Sequence, residues 1–262
     1  MPYANVFDKT SAVRGTGGTT VAQRPFPVAA STTIWKGDIL TLDASGNAVP
    51  LITAVANAFT LNGANARVIG VALNSITTNA SGVDATTTGG WTKTTVDVAL
   101  PGPENEFLFR LYDATSSNTN PNDVQIGGQY KVGVYLASGL SATSSSRIYA
   151  VSPTTVAITG ASNASPIVLN AASHGLTSGE TAYVSKVGGN TAANGTWKVT
   201  AATADTLNLL GSSGNANYTS GGILVGSPVV EVAEIPINAY QSTSDTYGYA
   251  WYRFAPGARI AG

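Results

Sequence analysis

Thr95-Val96-Asp97-Val98-Ala99-Leu100, followed shortly by Phe107-Leu108-Phe109-Arg110-Leu111-Tyr112, decides the fold. Both runs alternate with period two, the repeat that sends successive side chains to opposite faces of a strand. Working outward, the same texture recurs at 129–136, 147–151, 229–237 and 247–254. Between these runs lie turn formers: Ser45-Gly46-Asn47, Asn62-Gly63, Ser81-Gly82, Gly89-Gly90, Gly127-Gly128 and Ser138-Gly139. Helical composition is confined to 54–58, which is too short to matter. Short strands with frequent turns predict an all-β chain whose main domain is a β-barrel or β-sandwich.

Composition narrows the function. Only 10 % of the 262 residues are charged, against about 25 % in an ordinary soluble domain. Hydrophobic residues reach 43 %, enough for a core, so disorder does not explain the low charge. The 13 Lys and Arg are scattered singly and the net charge is −1, which argues against nucleic acid as a partner. With no Cys, the chain must be held by burial or by oligomerisation. Met1-Pro2-Tyr3-Ala4-Asn5 does not read as a secretory leader, and no apolar run approaches membrane-spanning length. No membrane partner is expected, and synthesis is expected in a cytoplasm.

Two boundaries appear. Residues 1–22 contain Gly15-Thr16-Gly17-Gly18-Thr19-Thr20, which cannot build a core, and few large apolar groups, among them Tyr3, Val6 and Phe7. They predict either disorder or an extended arm lying on another chain. From 154 to 227 the residues become smaller, as in His174-Gly175-Leu176 and Asn194-Gly195-Thr196-Trp197. The simplest division is a main β-domain of 23–153 and 228–262 carrying an inserted small β-module at 154–227. Three pieces in series is the alternative.

The inserted stretch resembles a small β-module of phage structural proteins. The resemblance rests on Ile167-Val168-Leu169, His174-Gly175-Leu176, Ser178-Gly179-Glu180, Ala182-Tyr183-Val184, the run 190–197, Thr206-Leu207-Asn208-Leu209 and Tyr218-Thr219-Ser220-Gly221-Gly222. The rest is similar to capsid decoration (cement) proteins of tailed phages. That similarity lies in the run 27–43, in Ala66-Arg67-Val68-Ile69-Gly70-Val71-Ala72, in 106–110 ahead of 124–130, and in Tyr249-Ala250-Trp251-Tyr252-Arg253-Phe254. The resemblance implies a protein of the outer capsid surface of the virion, made in the host bacterial cytoplasm. It would be a homotrimer that seals junctions between capsomers, with the major capsid protein as its partner.

Chemistry finds little to stand on. His174 is the single histidine, and a turn histidine bonded to backbone groups explains it better than catalysis, which needs a nucleophile and an orienting carboxylate. One His and no Cys speak against zinc, and no calcium-loop spacing is present. Glu104 and Glu106 would share a face if their strand began early enough, whereas Glu231 and Glu234 would face opposite sides. Neither pair specifies a glycosidase cleft. Gly15-Thr16-Gly17-Gly18 lacks the Lys-Ser/Thr of a P-loop. No enzyme activity and no cofactor are expected.

The aromatics say more. In a terminal strand, Tyr247, Tyr249, Trp251 and Arg253 share one face and Gly248, Ala250, Tyr252 and Phe254 the other. One face fills a core, and the other is available to a partner. Tyr3, Val6, Phe7, Tyr249, Trp251 and Tyr252 are therefore the candidate capsid or oligomer interface. Tyr183, Trp197 and Tyr218 are the candidates if the module is an exposed adhesive head. That second reading makes the chain a glycan- or host-surface-binding module of a phage tail or fibre.

Overall fold

The computed structural model describes residues 13–51, 68–85, 94–111, 125–135, 148–152, 155–235, 249–255 and 258. Among these residues there is no α-helix. The chain is all β, as the alternating runs predict. The weak helical signal at 54–58 lies outside the described residues.

In chain order the first strands are β1 (Val13–Gly15), β2 (Gln23–Pro27), β3 (Thr33–Ile34), β4 (Ile39–Leu42) and β5 (Ala48–Pro50). Then come β6 (Gly70–Ala72), β7 (Ile76–Thr77), β8 (Thr95–Ala99), β9 (Asn105–Leu111) and β10 (Gln129–Tyr135). The second half supplies β11 (Ile148–Ser152), β12 (Val156–Ala157), β13 (Gly160–Ala161), β14 (Ile167–Asn170) and β15 (Thr181–Ser185). The last are β16 (Gly195–Ala202), β17 (Thr206–Leu209), β18 (Ile223–Gly226), β19 (Val230–Glu234) and β20 (Tyr249–Phe254).

The aromatic strands close on themselves. β9 pairs with β20 along one edge. Its other edge carries β1 at residues 105–107 and β11, in parallel, at Arg110 and Leu111. From β11 the pairing runs through β10 and β19 and back to β20. Five strands thus form a ring, and β1 sits outside it. Closure removes the unpaired edges that would otherwise invite aggregation. Phe107, Phe109, Val132, Val230, Val232, Ala250, Tyr252 and Phe254 fill the inside, all nearly inaccessible to solvent. The Phe107 and Phe254 rings lie 5.0 Å apart, and Phe109 meets Tyr252 edge-on at 5.9 Å. Burying each such side chain contributes about 1.5–3 kcal/mol, and each aromatic pair adds about 0.5–1.5 kcal/mol.

A second sheet, in the order β2-β8-β6-β4-β5, is covered on both faces. Ile39, Val71 and Ala99 turn toward the aromatic barrel, while Leu40, Ala72, Val96 and Val98 pack with Ile34 of β3 and Ile76 of β7. Gly70 is obligatory here: its φ is +141°, and a Cβ would stand 1.9 Å from the Ala99 carbonyl oxygen. The outer strand β2 is blunted. Leu73 donates to the Asp97 carbonyl, so Asp97 faces β6 and its cross-strand neighbour Pro25 turns its backbone away from β8. Pro25 and Pro27 offer no N–H to a further strand.

The module expected at 154–227 builds its sheet from strands within 156–226 alone, in the order β12-β18-β15-β16-β17-β14-β13. Its two outer strands, β12 and β13, are separated in the chain only by Ile158 and Thr159, so this sheet also wraps round. Ile167, Leu169, Ala182, Val184, Leu207, Leu209 and Leu224 are fully buried in its own core. His174 holds a turn as read from sequence: its Nδ1 accepts from the Leu176 N–H at 3.0 Å, and its Nε2 lies 3.3 Å from the Thr206 carbonyl oxygen. The chain enters the module after β11 and leaves it into β19, the two strands that flank β10.

Of the arm expected at 1–22, residues 1–12 lie outside the described residues, and 13–22 lies against the domain itself. Val13–Gly15 is a strand on the domain's own sheet, and Val13 and Val21 pack against the barrel core. The Asn105 side chain then clamps Ala22, donating to its carbonyl at 2.7 Å and accepting from its N–H at 3.0 Å. Residues 105–107 were available to β1 because β11 pairs only with Arg110 and Leu111 on that edge of β9.

Candidate functional site

A dense polar cluster lies on the outside of the barrel, where β1 docks. Period two sends Ala250, Tyr252 and Phe254 inward, so Trp251 and Arg253 face out. On the neighbouring strand Glu106 alternates with the buried Phe107 and also faces out, yet it is only 5 % exposed because two arginines cover it. Arg14 reaches its Oε2 through Nε at 2.8 Å and Nη2 at 2.7 Å, and Arg253 Nη2 donates to its Oε1 at 2.5 Å. Arg14 also pairs with Glu234, and its guanidinium lies 4.1 Å from the centre of the Trp251 ring.

A bulge in β19 makes this possible. The register shifts between Val232 and Glu234, so Glu231 stands opposite Arg253 and Glu234 opposite Trp251. Both carboxylates therefore belong to the outer face, correcting the expectation that Glu231 and Glu234 point to opposite sides. The extra residue of a bulge resets the alternation, and composition gives no sign of it. Glu104 is exposed in the turn before β9, so it does not extend the strand to pair with Glu106.

Burial pushes the Glu106 carboxyl upward, but hydrogen bonds from Arg14 and Arg253 and their charges outweigh it and hold it below the ordinary carboxylate range. A carboxylate saturated in this way is a poor base. What the cluster does is fasten: residues 14, 106, 234 and 253, far apart in sequence, secure one short strand. Alongside runs an open groove of about 510 Å³ lined by Arg14, Gly15, Gly17, Thr19, Val21 and Glu234.

The predicted interface residues fare unequally. Tyr3, Val6 and Phe7 lie outside the described residues. Tyr249 pairs through its backbone with Arg110, and Trp251 is half-buried beneath Arg14. Tyr252 is corrected: it is 0 % exposed inside the barrel and is no surface residue. Both faces of the terminal strand are aromatic, so sequence gave the phase of the alternation without its sense.

The module's aromatics do not form one platform. Trp197 stands opposite the buried Ala182, on the core side, and its Nε1 donates to the Ala193 carbonyl at 2.8 Å. Tyr218 packs on the same core and gives its hydroxyl to backbone oxygens of Ile158 and Gly221. Tyr183 alternates onto the other face, beside Thr196, whose hydroxyl donates to Gln129 of β10 at 3.1 Å. That face looks toward the barrel.

Arg14 is the cluster residue that sequence reasoning missed, and Glu234 was weighed there only as half of a carboxylate pair. The signal available was Arg253, a cation on the outward face of an aromatic strand that needs an acidic partner across the sheet. Among the described residues no cluster of three His, Asp or Glu could hold a metal ion, and no helix is long and apolar enough to cross a membrane. No protein family matches the chain, and no curated protein sequence matches it.

Proposed function

We propose that this chain is a structural, non-enzymatic component of a tailed-phage particle, a decoration protein bound to the outer capsid surface. On this reading it acts as a homotrimer that stabilises junctions between capsomers through contact with the major capsid protein. The observation that carries it is the fastening of β1. A buried carboxylate and two arginines fix β1, the strand that directly follows residues 1–12, with Tyr3, Val6 and Phe7, in the sequence. On this reading residues 1–12 bind a neighbour by main-chain hydrogen bonds and a few side-chain pockets, and symmetry multiplies weak contacts into avidity. The resemblance of 27–43 and 249–254 to decoration proteins supports the same reading.

Purified protein mixed with undecorated capsids should bind saturably, and a variant lacking residues 1–12 should bind at least tenfold more weakly with its thermal unfolding unchanged. Absence of saturable binding by the intact chain refutes the proposal. The glycan-binding alternative gains no support from the placement of Tyr183, Trp197 and Tyr218 on two faces.

A further inference from the structure

We propose that β1 is an exchangeable strand: in crowded copies it leaves β9 of its own chain and docks in the same register on β9 of a second copy. Three observations carry this. First, the five-strand ring closes without β1, so its departure opens no seam in the barrel. Second, β1 hangs on a strap built to extend. Thr16–Gly18 is a single 3-10 turn with no buried residue, Gly17 and Gly18 hold φ of +66° and +81°, and Thr19 is exposed. The strap is folded back by the Thr16 N–H on the Glu104 carbonyl and the Thr19 N–H on the Thr16 carbonyl, while Ala22 stays clamped by Asn105. Released, residues 16–20 span about 16 Å at ~3.3 Å per residue, with Val21 left on the core. Third, the vacated edge selects its occupant. Without Arg14, the nearly buried Glu106 keeps only Arg253, and Glu234 and the Trp251 ring lose their cation. The segment that restores all of these at the right register is the same segment from another copy. Exchange of an identical element between protomers needs no new contact.

The proposal stands on this geometry whether or not the particle is a capsid; it gives assembled copies a way to hold one another. The chain has no Cys, so disulfide trapping is clean. One batch carries Thr16→Cys and another Glu104→Cys, two positions joined by the Thr16 N–H to Glu104 carbonyl bond. Both sites lie at the surface, and thermal unfolding confirms that each variant folds. Oxidising the mixed batches at high protein concentration should give disulfide-linked dimers several-fold above a Thr16→Cys and Asn217→Cys control mixture. A mixed yield equal to the control overturns strand exchange. Binding of the same batches to capsids is scored separately, so dimers without capsid binding would sink the decoration reading alone.

Discussion

Removing one oxygen atom should make this protein more stable. The Tyr252 hydroxyl is fully buried inside the barrel and has no hydrogen-bond partner among the described residues. Its ring is well used, edge-on to Phe109 at 5.9 Å. An unsatisfied buried hydroxyl costs about 1–3 kcal/mol of desolvation, and Tyr252→Phe removes that cost while keeping the ring. The expected gain is therefore about 1–2 kcal/mol, or roughly 2–8 °C in Tm for a domain of this size. Tyr130→Phe is the internal control. There the hydroxyl accepts the Gln125 N–H at 3.1 Å, so its loss should cost about 0.5–1.5 kcal/mol. Calorimetry and urea titration read both changes. Burial, with a smaller contribution from Tyr130, also raises the Tyr252 phenol well above its ordinary value of 10.0. A group whose folded pKa is raised stabilises fully below its unfolded pKa and loses that contribution as pH rises through the folded one. Above about pH 10 the wild type should therefore lose stability relative to Tyr252→Phe. Destabilisation of Tyr252→Phe by 1 kcal/mol or more would refute the claim that the hydroxyl is unpaired.

Three further outcomes follow from the geometry. Glu106→Gln should weaken β1 docking by about 1–3 kcal/mol, read as faster amide exchange at 13–15; because the Glu106 pKa is lowered, its stabilisation is present above the unfolded value near 4.5 and fades as pH falls through the folded one, an acid loss that the Gln variant should not show. Leu207→Ala, at a fully buried position of the module core, should cost about 2–5 kcal/mol, and limited proteolysis should then clip 155–227 before the barrel. Gly70→Ala must drive a methyl against the Ala99 carbonyl at a φ of +141°, so we expect insoluble protein or a loss of several kcal/mol, whereas Gly46→Ala, in open space, should cost only about 1 kcal/mol.

Strand existence was legible because alternation is local. The runs at 95–100, 107–112, 129–136, 147–151, 229–237 and 247–254 each overlap one strand, β8 to β11, β19 and β20. The shift to small residues near 154 likewise coincides with the start of a separate sheet. Closure of the barrel was not legible. It depends on the parallel pairing of Arg110 and Leu111 with Ala150 and Val151, which no local pattern encodes. The Arg14–Glu106 contact spans 92 residues and the Arg14–Glu234 contact 220. A single bulge in β19 then decides which acids meet them. Val13–Gly15 was read as part of an arm because three residues beside a glycine run carry too little apolar surface to announce a strand; the docking edge lies in β9.

The way the 155–227 segment is spliced in has a practical side. Its two connections attach to β11 and β19, the immediate neighbours of β10, so the stumps stand about 10 Å apart, two inter-strand spacings. Any foreign domain whose termini lie that close could be grafted on the same scaffold without straining the barrel. The chain thus offers a ready socket for cargo, and a lineage could swap what it displays while leaving its foundation untouched.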